Sequence, residues 1–169
     1  MNFQIHNLQD GSMKECDLLN LSRSLSVDSE IVLFDEEKVE AIGFVSHSLL
    51  VYFCVEFADY ALQNSSKKRL PEAEECISLV RNWIENPNSV SKEELNAAGA
   101  AAYSSSNVSN AAAYAAYIVN AAAFAAADAT YAANIFADAT NAAAYNAAGV
   151  DKEKEFERQG RFILSYFCS

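Results

Sequence analysis

Few side chains in this chain could do chemistry, and their spacing decides which. The histidines are His6 and His47. His47 stands seven residues before Cys54 in the apolar run Phe44–Val55, so a Cys–His pair could share one helix face. A core histidine satisfied by its neighbours accounts for the same spacing. The four cysteines, Cys16, Cys54, Cys76 and Cys168, have no C-x-x-C pairing, and no H-x-x-x-H or E-x-x-H motif offers metal ligands. The five glycines are isolated, so no loop can cradle a phosphate. Asp35, Glu36, Glu37 and Glu40 could form a patch for a basic protein, or simply a solvated helix face. No catalytic constellation emerges. A non-enzyme without metal or cofactor is expected.

The other candidate lies between Asn96 and Gly149, where half of the 52 intervening residues are alanine and none is Lys, Arg, Glu or Pro. Tyr103, Asn110, Tyr117, Phe124, Tyr131, Asp138 and Tyr145 recur every seven residues. Ser106, Ala113, Asn120, Ala127, Asn134 and Asn141 follow three residues after the first six, giving a stripe on one helix face. Within it, Tyr117, Asn120, Tyr131, Asn134, Asp138, Asn141 and Tyr145 could line a pocket for a flat polar ligand such as a small nucleotide, by stacking and amide hydrogen bonds. A polar network that fixes helix register explains the stripe without a ligand, and ranks first.

Alanine has the strongest helix propensity, so this stretch predicts a short helix before Ser104–Asn107 and a long one near Asn107–Ala147, of roughly 60 Å. Whether the region is one helix or two, alanine faces let neighbouring helices approach closely. Upstream, residues 1–11 read as an irregular start. Ser12-x-x-Glu15 is a capping-box pattern opening a helix to Leu25, and Asp28 caps a second helical region through the acidic cluster. Phe44–Leu62 reads as a buried central helix, too short in its apolar run to span a bilayer. Pro71 suits the first position of the next helix, whose stripe is Ala73, Cys76, Ile77, Val80, Trp83 and Ile84. Asn86-Pro87-Asn88 ends it, and Ser91-x-x-Glu94 is a second capping box. Asp151 caps a final helix carrying Phe156, Ile163 and Phe167. The expected architecture is all-α: residues 12–169 as one compact bundle of five to seven helices around the alanine-rich helix or helix pair.

Net charge is −11, of which residues 1–96 contribute −9 from 17 acidic and 8 basic side chains. No basic stripe exists to displace counterions, which argues against nucleic acid polymers and leaves room for a basic protein. Met1–Asp10 has no secretory pattern, and unpaired cysteines fit a reducing cytoplasm.

From about Leu18 onward the chain resembles the alanine-rich immunity proteins of bacteria and their phages, the immunity-protein-5-like group. The resemblance rests on Asp17-Leu18-Leu19-Asn20-Leu21-Ser22-Arg23 with Val27-Asp28, Phe57-Ala58-Asp59-Tyr60-Ala61-Leu62, Lys68-Arg69-Leu70-Pro71-Glu72-Ala73, the Trp83 helix and the Ala/Tyr/Asp-rich repeat. It implies a small non-enzymatic binder that neutralises an effector or toxin, in the host-cell cytoplasm if phage-encoded. One mechanism is an acidic face docked on a basic effector. The alternative is sequestration of a small nucleotide signal by the Tyr/Asn/Asp stripe. Further options are a self-assembling homo-oligomer joined through alanine faces and an ice-binding helix, the latter weakened by Thr130 and Thr140 standing ten apart.

Overall fold

Phe3-Gln4-Ile5-His6 alternates apolar and polar side chains, the period of a strand with one buried face. In a computed structural model, which describes residues 2–25, 31–38, 40–65, 70–104, 123, 126–127 and 152–167, this segment is β1 (Asn2–Asn7). A tight turn leads to β2 (Met13–Asp17). Asn7 Oδ1 accepts from the N–H groups of Gln9 and Asp10 at 2.8 and 3.3 Å, and Gly11 takes φ +72°, a conformation costly for any side chain. After the single turn α1 (Leu21–Ser24) come β3 (Ile31–Asp35) and β4 (Glu40–Val45). All neighbours are antiparallel, in the order β2-β1-β3-β4.

This sheet overturns the all-α expectation. The segment expected to be irregular is β1, the supposed helix opened by Ser12-x-x-Glu15 is β2, and the acidic helical region is the β3–β4 hairpin. The physical reason is the register. It sets Phe3 opposite Asp35 and Ile5 opposite Leu33, and with Val45 these make one inner face whose centre is buried. Burying such a face outweighs the few tenths of a kcal/mol per residue that separate helix propensities.

Helices cover that inner face. Ser46 caps α2 (His47–Ser65), accepting the Leu49 N–H at Oγ, 3.3 Å away. α3 (Pro71–Glu85) begins at proline and buries Ala73, Cys76, Ile77 and Val80, with Trp83 and Ile84 packed at the rim, as the stripe predicts. It ends at Asn86. α4 (Lys92–Ser104) opens with the expected capping box: Ser91 Oγ accepts the Glu94 N–H, and Glu94 Oε2 accepts the Ser91 N–H at 2.8 Å. Ala123 and Ala126 are helical and buried, so part of the alanine-rich region joins the core.

The final helix, α5 (Lys152–Phe167), returns to the sheet. Its fit depends on two glycines. At one end, Gly160 lies against Leu18, where an added Cβ would stand 2.5 Å from the Leu18 carbonyl oxygen. At the other, the Phe167 ring rests on Gly43 of β4, occupying the space of a side chain. Tyr52, Phe53 and Phe57 of α2 meet Phe162 and Tyr166 of α5 at centroid distances of 5.6–6.2 Å. α3 is tied to α2 by Arg81, which bridges Glu56 and Asp59 at 2.9 and 2.7 Å. Among the described residues, no helix is long and apolar enough to cross a membrane.

Candidate docking face

The centre of the inner face is taken up by the core, which leaves the other side of the sheet and its ends to meet a partner. The register aligns the outward side chains in cross-strand rows. One row is Met13, His6, Val32 and Phe44; the next is Glu15, Gln4, Phe34 and Ala41. None of these eight is buried. Phe44 is 46 % and Met13 57 % exposed, large apolar side chains at the two ends of the first row. The His6 ring stacks on Phe34 with centroids 5.5 Å apart, and its Nε2–H donates to Gln4 Oε1 at 3.1 Å. The β3–β4 half of the face is therefore apolar, and the β2 edge is polar and acidic.

The acidic cluster sits at the end of the same sheet, in the β3–β4 turn. Its four members point in different directions. Asp35 is buried and builds the turn: its Oδ1 accepts the Glu37 and Lys38 N–H groups at 3.0 and 3.1 Å, and Lys38 Nζ lies 3.6 Å from Oδ2. Glu40, opposite Asp35 in the register, lies 3.7 Å from the same ammonium. Glu37 is exposed. Glu36 lines a polar cleft of about 590 Å³ with Asn2, Lys14, Asp17 and Arg23. A register shift at Leu33/Phe34 bulges β4 here. Beneath the turn, Phe3, Ile42, Leu164 and Phe167 wall an apolar groove of about 730 Å³ whose lip carries Lys38, Glu40 and Arg161.

Of the stripe residues, Tyr117, Asn120, Tyr131, Asn134, Asp138, Asn141 and Tyr145 lie outside the described residues, as do the Ser104–Asn107 break beyond Ser104 and the Asp151 cap. Tyr103, the first of the stripe, is exposed. The imagined Cys54–His47 pair divides between two environments. Cys54 is fully buried, and burial pushes its thiol far up, away from the thiolate a nucleophile needs. His47 meets Trp83 edge-on at 5.8 Å. Among the described residues, no three His, Cys, Asp or Glu side chains converge as a metal site. Sequence reasoning missed the open sheet face altogether, although the Phe3–His6 alternation before the Gly11 turn signalled it.

Neither a curated protein nor a solved structure matches the chain. Residues 33–165 match the profile of a family of unknown function (DUF6931), a span from β3 into the last turn of α5, and the chain belongs to that family.

Proposed function

We propose that this chain is a non-catalytic, immunity-type or phage anti-defence protein that works in the cytoplasm and neutralises a basic effector protein by binding it. One observation carries the reading: among the described residues, the outer face of a four-stranded sheet bears the exposed apolar side chains Met13 and Phe44, and the exposed charges there and at the adjoining turn are mostly carboxylates. An apolar surface rimmed by charge of one sign suits recognition of a partner with the opposite sign, because complementary fields raise association rates and set specificity. The resemblance to alanine-rich immunity proteins supports the same role.

The test is affinity capture from the source organism, using the native chain beside Glu15→Lys/Glu37→Lys. We expect the native chain to retain a basic protein in a salt-sensitive way. Co-expression should suppress that protein's toxicity, and the charge-reversed chain should do neither. Equal retention and equal protection by both chains would overturn the reading, as would neutralisation that tracks a bound small nucleotide.

A further inference from the structure

The open face has a shape that narrows what can sit on it. We propose that the partner presents a basic amphipathic helix, laid along β3 and β4 with its apolar side on Val32, Phe34 and Phe44 and its basic flank toward Glu15 and the acidic β3–β4 turn. This rests on the binding role argued above and specifies the element that is bound.

Strand addition is disfavoured at both sheet edges. β2 carries Lys14 and Glu15, and β4 begins at Glu40 and is bulged at its register shift, which are features that block edge pairing. A partner must therefore come to the face. A single segment that can cover a sheet face is a helix; on the inner side α5 meets the sheet where Phe167 rests on Gly43. Dimensions agree. Five residues of β3 extend about 17 Å, the length of about eleven helical residues, or three turns. Val32 and Phe34, two residues apart on β3, stand about one helical turn apart, and Phe44 lies beside Val32, so successive turns of one apolar helix side reach all three.

Charge selects the occupant. The charged outward residues of β1, β2, β3 and β4 are Glu15 and Asp17, with His6 the titratable group among them, and Asp17 is engaged by Asn20 at 2.8 Å. At the turn, Lys38 is held between Asp35 and Glu40, within 3.7 Å of both. A second copy of this chain would bring the same carboxylates and a charge of −11, so face-to-face pairing of copies is opposed. An anionic lipid surface is opposed for the same reason. A lysine- or arginine-bearing helix is not.

The probe is a fluorescent 14-residue leucine/lysine amphipathic helical peptide, compared by anisotropy with a scrambled peptide of the same composition. We expect the native chain to prefer the amphipathic order by about tenfold or more, a preference that Phe44→Thr and Val32→Thr each reduce. Both substitutions place threonine, a strand former, on exposed or half-exposed sites, and unchanged thermal melts verify the fold. Amide shifts on titration should concentrate in β3 and β4. Equal binding of the two peptides, or full binding by both threonine variants, overturns the proposal. If Glu15→Lys/Glu37→Lys abolishes effector binding while Phe44→Thr leaves it intact, the helix proposal falls and the basic-effector reading stands. If neither change affects effector binding, both fall.

Discussion

Gly160→Ala should destabilise this protein although alanine is the better helix former. In a helix interior the exchange is worth about 1 kcal/mol in favour of alanine. Here the new methyl carbon would stand 2.5 Å from the Leu18 carbonyl oxygen and 2.9 Å from Leu18 Cδ1. A carbon–oxygen contact relaxes only near about 3.3 Å, so α5 or the Leu18 turn must retreat by roughly 0.8 Å. The oxygen cannot swing away, because it accepts the Leu21 N–H that starts α1. Overpacking of this kind costs about 1–3 kcal/mol, and a rigid backbone neighbour places it toward the upper end. The net loss is about 2 kcal/mol, or a Tm lower by about 4–8 °C for a chain of this size. The assay pairs thermal and urea melts of the whole chain with circular dichroism of a synthetic peptide spanning residues 152–167. The peptide should gain helix on Gly160→Ala while the protein loses stability. A variant protein as stable as the native one, or more so, would refute the close approach of α5 to Leu18.

Two further perturbations follow from the same reasoning. Asp35→Ala leaves the Glu37 and Lys38 N–H groups without their acceptor, and should lower stability by about 1–3 kcal/mol in urea melts. Asp35→Asn, which keeps one acceptor oxygen, should lose less; equal losses would count against the turn-building role. Burial pushes the Cys76 thiol up to about 12, with the Glu75 charge adding to the effect, and the unfolded thiol ionises near 9. The folded state thus holds this proton when the unfolded state has released it. Stability is intact below pH 9 and falls as pH rises toward 12, with Cys76→Ala flattening that limb. In the native protein Cys54 and Cys76 should resist alkylation at pH 8 until the chain is unfolded; rapid labelling of either, read by mass spectrometry, would contradict the core packing.

Sequence patterns found the helices whose periodicity and caps agree. Pro71, the Ala73–Ile84 stripe, the Asn86 stop and the Ser91/Glu94 box each reappear as drawn, because every one is a local signal with a local cause. The sheet was illegible for the opposite reason. Its strands are five or six residues long, and two of them carry chance helix patterns: Ser12-x-x-Glu15 before β2 and the Asp35–Glu40 acids between β3 and β4. What makes them strands is pairing across the chain and burial under the helices that follow, the last of which, α5, starts more than a hundred positions after β4. Asp35 shows the same limit at the site. Its acidity suggested a surface charge, whereas its hydrogen bonds and 3 % exposure make it part of the turn's frame. Phe44 could not be told from a core residue by type, and only the register turns it outward.

The return of α5 to the sheet also sets a timetable for biosynthesis. From Val45, which completes the sheet, to Lys152, which starts α5, the ribosome adds 107 residues (152 − 45). At about 5–20 residues per second this takes roughly 5–20 s. Throughout that interval Gly43 lacks the ring that belongs on it, and the walls of the groove beside Phe3 stand open to chaperones and to other nascent chains. Premature termination anywhere in the alanine-rich region would therefore yield a sheet lacking α5, with Gly43 and the wall beside Phe3 exposed, a product suited to aggregation and to prompt proteolysis.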